Sequence, residues 1–126
     1  MKLHLSHTPG LQTVTAFGEG YVSVNGQRHE TSLVILPDRL LADWAVAGFS
    51  QLAAEHFAGL AALAPELVLL GTGARQSFPH PSLYADLIRA GIGIEIMNTG
   101  AACRTYNILA AEGRRVAAAL IIETTG

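Results

Sequence analysis

The chain has 126 residues, half of them hydrophobic and 14% charged, with a formal net charge of −2. That length suits one domain with its own hydrophobic core, and the composition excludes a disordered chain. The charge excludes the basic stripe expected of a nucleic-acid binder, and a single cysteine, Cys103, excludes an internal disulfide framework or a cysteine zinc site. A surface so poor in charge points to cover by a second copy or by a protein partner. No apolar run approaches the roughly 20 residues of a bilayer span. The first seven residues, Met1-Lys2-Leu3-His4-Leu5-Ser6-His7, make a poor signal or transit peptide, so the cytoplasm is the expected compartment. One domain over residues 1–126 is expected, because no repeat or linker divides the chain.

In chain order, residues 13–17 alternate as a strand, and Tyr21-Val22-Ser23-Val24 runs into Asn25-Gly26, the dipeptide suited to a type I′ hairpin turn. The return strand is expected over residues 31–36, ending at the turn signal Pro37-Asp38. A further short strand is expected over residues 43–46. From Ser50, a plausible N-cap, the period becomes helical: Leu52, Phe57, Leu60 and Leu63 share a face, and Pro65 ends the helix. Residues 66–70 form an apolar strand closed by Gly71-Thr72-Gly73. Pro81 opens a second helix with the stripe Leu83, Tyr84, Leu87 and Ile88, capped by Gly91. Residues 92–97 make the next strand, Thr99 the next N-cap, residues 100–112 the third helix and residues 116–122 the last strand.

Strand, helix, strand, helix, strand at this spacing predicts consecutive βαβ units with three parallel strands. The fold class is therefore α/β: a three-layer α/β/α sandwich with a mixed sheet, its C-terminal half parallel and its N-terminal part a β-hairpin. The return strand of that hairpin is expected to add antiparallel strands to the sheet.

Ligands of open α/β sheets bind beyond the carboxyl ends of the strands. That rule selects Gly71, Thr72 and Gly73 after one strand, and Thr99 and Gly100 after the next. Glycines free backbone amides, and the helix dipole there favours a carboxylate or phosphate. The bland reading is that they only make tight turns, since a lone Gly-x-Gly is weak. On the third helix Arg104 and Asn107 share a face. Arg104 could pair with an anion, and the Asn107 amide could bond across the boundary to the apolar stripe. Together these seven residues are the candidate ligand site.

Cys103 lies near a helix N-terminus beside Arg104, a setting for a reactive thiolate, but it also borders the apolar stripe, where a buried thiol packs well. His56 reads as a packed histidine. His80, between two prolines near the Gly71 edge, is the histidine to watch. Ser77, His80 and Asp86 supply the residue types of a triad, but no nucleophile elbow. No metal-ligand spacing or cofactor fingerprint emerges. Glu112 and Arg114 flank the cap Gly113, which explains them as a helix end and leaves them as candidates for contact with a partner.

Three segments carry a resemblance: Leu67-Val68-Leu69-Leu70-Gly71-Thr72-Gly73, Ile92-Gly93-Ile94-Glu95-Ile96-Met97, and above all TGAACRTYNILAAEGRRV over residues 99–116. They resemble the domain-of-unknown-function family that contains mitochondrial complex I (NADH dehydrogenase) assembly factor 3. The resemblance implies a three-layer α/β fold, no established enzymatic activity and a role through protein contacts. It marks Gly71, Thr72, Gly73, Thr99, Gly100, Arg104, Asn107, Glu112 and Arg114. The leading expectation is a non-catalytic interaction protein or assembly factor, with a protein partner or a second copy. The competing one is a small-molecule or anion-binding domain, possibly enzymatic, at the strand carboxyl edge.

Overall fold

A computed structural model describes residues 10–123. Three short strands, β1 (Val14–Gly18), β2 (Tyr21–Val24) and β3 (Gln27–His29), form an antiparallel sheet. The remaining strands are β4 (Leu33–Leu36), β5 (Arg39–Leu41), β6 (Leu67–Gly71), β7 (Gly93–Met97) and β8 (Val116–Leu120), ordered β5-β4-β8-β6-β7 in a second sheet. β6 pairs in parallel with both β7 and β8, while β4 is antiparallel to β5 and β8. The helices are α1 (Ala54–Ala62), α2 (Ala85–Arg89) and α3 (Thr99–Ala111).

The five-stranded sheet divides two apolar cores by simple alternation. Leu33, Ile35, Leu67, Leu69, Ala118 and Leu120 face α3 and the small sheet, where Val14, Val22 and Tyr106 meet them. Val34, Leu36, Val68, Leu70, Ala117 and Ala119 face α1 and α2, against Phe57, Leu60 and Leu87. The mixed three-layer architecture and its parallel C-terminal half are as expected from the sequence.

Asn25 and Gly26 both adopt positive φ, 49° and 84°, and close a two-residue hairpin between Val24 and Gln27. The return strand is β3, however, and not residues 31–36. Gln27-Arg28-His29 is polar enough for a small sheet with one wet face, whereas Leu33-Val34-Ile35-Leu36 is buried throughout and needs cover on both sides. The hairpin in the main sheet is therefore β4–β5, turned at Pro37-Asp38, and β4 also pairs antiparallel with β8. Residues 43–46 form no strand: Trp44 N–H donates to Ser32 O, and the Ser32 hydroxyl donates to Val46 O.

Two caps also differ. Ser50 lies in a short 3-10 turn and α1 starts after Ala53, whose N–H donates to His56 Nδ1 at 3.0 Å. Asn98 rather than Thr99 caps α3, its Oδ1 accepting from Ala101 N–H at 2.8 Å. Pro81 opens a 3-10 turn that precedes the five-residue α2, so Leu87 takes the inward position and Ile88 is left 59% exposed. His4 and His7 lie outside the described residues.

Candidate functional site

Parallel register brings three chain segments to one edge. Gly71 at the end of β6 stands opposite Met97 of β7 and Leu120 of β8, so the loops after all three strands converge. Thr99 clasps them. Its hydroxyl donates to Ile121 O at 2.8 Å and accepts from Gly73 N–H at 2.8 Å, while Thr99 N–H donates to Gly73 O at 2.9 Å. Thr72 is buried, its N–H on Met97 O and its hydroxyl on Arg75 O.

Close approach requires the glycine at Gly71, and positive φ favours it at Gly73. A Cβ on Gly71 would lie 3.0 Å from Thr99 Cα, and one on Gly73 (φ +100°) 2.3 Å from Glu123 Oε1. Gly73→Ala combines backbone strain of about 1–2 kcal/mol with displacement of that carboxylate. The expected result is a lower unfolding midpoint, partly restored in Gly73→Ala/Glu123→Ala by equilibrium denaturation. Full restoration would put the whole effect in the Glu123 contact.

A cavity of about 160 Å³ opens beside this clasp. Its walls come from Phe17 and Tyr21 on either side of the β1–β2 turn, from Thr99 and Gly100, from Gly73, and from Ile121 and Ile122, with Glu19 and Glu123 contributing carboxylates. Of the seven ligand-site candidates, Gly73, Thr99 and Gly100 line it, whereas Gly71, Thr72, Arg104 and Asn107 do not. Gly100 lets the Phe17 ring lie against α3, since a Cβ there would sit 2.9 Å from the ring, and the Arg104 guanidinium stands 5.5 Å from the ring centroid. Arg104 is exposed, and its contact with Phe17 explains it without an anion. Val14 engages the Asn107 amide at both ends: Oδ1 accepts from its N–H at 3.0 Å and Nδ2 donates to its carbonyl at 2.8 Å.

Two observations weigh against a carboxylate or phosphate at this edge. The amides of Thr72, Gly73, Thr99 and Ala101 already donate to protein acceptors, and the charged groups lining the cavity are carboxylates. Sequence reasoning missed residues 121–123, although the same edge rule covers the end of β8. It could not have found the β1–β2 turn, which reaches the site only through tertiary packing.

Cys103 is fully buried, and burial pushes its thiol up to about 12 against the lowering effect of Arg104. This contradicts a reactive thiolate: the native protein should leave Cys103 untouched by a thiol reagent at pH 8, while the unfolded chain reacts. The sign of the linkage follows. The folded thiol stays protonated above the ordinary value of 9.0, where the unfolded one ionises, so its contribution is complete below pH 9 and lost as pH rises toward 12. Stability should fall by about 1.4 kcal/mol per pH unit across that window. Burial likewise raises Tyr106, with Asp38 adding to the shift, which steepens the alkaline loss. Denaturation curves between pH 8 and 11 measure it.

His56 is packed against Trp44, with ring centroids 6.0 Å apart. His80 caps the 3-10 turn, accepting from Ser82 N–H at 3.1 Å, and Asp86 pairs with Arg89. His80 and Asp86 thus have separate partners, Ser77 donates its backbone N–H to Thr72 Oγ1 at 3.1 Å, and the three form no triad. Arg114 Nε meets Glu66 at 2.7 Å on the surface, and that bond, before any field effect, raises the guanidinium further above its ordinary range. Glu112 is exposed nearby. Among the described residues no group of three His, Cys, Asp or Glu side chains is arranged to hold a metal ion, and no helix is long and apolar enough to cross a membrane.

Known proteins share this arrangement. A crystal structure of a Bordetella parapertussis protein superposes with a TM-score of 0.86 at 42% identity, covering 93% of this chain and 100% of that one. A Bordetella pertussis solution structure described as a Mth938-like domain gives 0.80 at 38% identity, over 98% of this chain and 93% of that one. The NADH dehydrogenase (ubiquinone) 1 alpha subcomplex assembly factor 3 of Danio rerio is 35% identical over 106 residues, 82% of this chain but 60% of that protein's length. A family model matches residues 14–121, and the chain belongs to that family, described as protein of unknown function (DUF498/DUF598).

Proposed function

We propose that this protein acts without catalysis, as an assembly-factor-like domain that binds a protein partner. The observation that carries this reading is the 35% identity, over 82% of the chain, to a protein named as a complex I assembly factor. The geometry is compatible with it. Of the residues that most distinguish the α3 segment, Thr99 and Asn107 hold loops and strands together, and Gly100 and Arg104 seat Phe17. Such a helix builds a rigid recognition surface and leaves no group poised for proton transfer or nucleophilic attack. The enzyme alternative has no support in these contacts.

Glu112 and Arg114 belong to the proposed partner surface, at the end of α3 opposite its N-terminal cavity. The test is crosslinking and affinity capture at native expression, followed by reconstitution of the captured protein with the purified chain. A reconstituted complex of fixed stoichiometry is the expected result; failure to recover any reconstitutable partner removes the reading. Arg114→Ala should weaken that complex while leaving the melting temperature nearly unchanged, because an exposed ion pair contributes little to folding. A large loss of stability with unaltered binding would reassign Arg114 to the fold alone.

A further inference from the structure

The cavity beside the Thr99 clasp has a chemistry of its own. At about 160 Å³ it falls below the roughly 300 Å³ at which small-molecule sites begin, yet it can take one long side chain. Its walls are aromatic and aliphatic, from Phe17, Tyr21, Ile121 and Ile122, and the ionisable groups around it, apart from the Tyr21 phenol, are the carboxylates of Glu19 and Glu123. The Glu123 carboxylate lies against Gly73, its Oε1 occupying the space that a Cβ on Gly73 would fill. Neither carboxylate has an ion-pair partner among the described residues. Of the described arginines around it, Arg104 stands on the Phe17 ring, Arg28 lies over Tyr21 and against Glu30 at 3.0 Å, and Arg75, two residues beyond Gly73, pairs with neither carboxylate.

We propose that this cavity receives a basic side chain, lysine or arginine, presented by the partner protein, its aliphatic stem against Phe17 and Ile122 and its charge between Glu19 and Glu123. The proposal rests on the interaction reading above and names the chemistry of the partner. An apolar stem with a cationic tip matches this lining as an anion does not. Because the carboxylates are exposed, the contact weakens as salt rises.

The first experiment titrates the whole 126-residue, 15N-labelled chain with acetyl-Gly-Lys-Gly-amide, its arginine counterpart and its norleucine counterpart. Saturable shifts at Gly73, Ala74, Thr99, Gly100 and Ile122 are expected for the basic peptides, with a Kd in the millimolar range. Glu19→Gln/Glu123→Gln should weaken them at least tenfold while remote resonances stay in place. Equal binding of norleucine, absence of saturation, or undiminished binding by the double variant would each overturn the proposal. The second experiment compares reconstitution of the captured partner with the wild-type chain and the double variant. A partner bound equally by both sinks this proposal and leaves the interaction reading standing, whereas no partner for either chain sinks both.

Discussion

Asn107→Leu is expected to destabilise the fold by about 2–4 kcal/mol. Val14 is fully buried at the start of β1, and the β1–β2 register is irregular between Val14 and Ala16. The Asn107 amide holds that strand start from 93 positions away, giving an acceptor at 3.0 Å and a donor at 2.8 Å. Leucine preserves bulk and is the better helix former by a few tenths of a kcal/mol, so the loss isolates two orphaned backbone groups. Each costs roughly 1–3 kcal/mol when buried, before relaxation. The melting temperature should drop by roughly 8–15 °C, and the Val14 amide should lose hydrogen-exchange protection ahead of β8. Asn107→Asp separates the two bonds, since the carboxylate keeps the acceptor and turns an oxygen on the Val14 carbonyl. If Asn107→Leu melted within a degree or two of the wild type, the amide would be ornamental and the account of α3 as a clamp on the small sheet would fail.

Thr99→Val is the second large effect, again about 2–4 kcal/mol. Valine has nearly the shape of threonine, so packing around Gly71 and Leu120 is preserved and the hydroxyl alone is lost. Gly73 N–H then has no acceptor and Ile121 O no donor, both in buried residues. Thr99→Ser keeps the bridge and should lie within about 1 kcal/mol of wild type, a rescue that separates hydrogen bonding from shape. Equilibrium unfolding in urea should show a lower midpoint at unchanged slope, because the surface exposed on unfolding is the same. Opening of the clasp is local, so amide signals of Gly73, Gly100 and Ile122 should broaden or shift in Thr99→Val before any remote resonance does. A variant with wild-type stability would mean that backbone hydrogen bonds and packing hold the three loops without the hydroxyl.

Both variants turn on side chains whose importance the sequence marked before their partners could be known. Asn in mid-helix and Thr after a strand are noticeable because each competes with regular backbone bonding. The reading of Asn107 as a bond across a boundary agrees with the contact to Val14, but the identity of that boundary required β1 to be placed. The sequence suggests Thr99 as an N-cap, since a hydroxyl between a strand and a helix usually caps. Asn98, one residue earlier, does that in fact, which leaves the Thr99 hydroxyl to bridge two loops.

Local pattern determined a great deal. Alternation and helical spacing within windows of five to fifteen residues revealed the parallel βαβαβ half, the Asn25-Gly26 hairpin and the loop edge where glycines converge, because these are consequences of backbone period and turn geometry. The family signature over residues 99–116 was legible for the same reason, as a contiguous run. Only the tertiary structure decided where 27–29 and 33–36 part company, since that depends on which strand finds cover on both faces. It also decided that the ionisable side chains facing the cavity between Gly73, Thr99 and Gly100 are Glu19, Tyr21 and Glu123, with Arg104 turned to Phe17. Residues 19, 73, 99 and 123 are distant in sequence, and their common surface exists only once parallel register and the docking of the small sheet have brought them together.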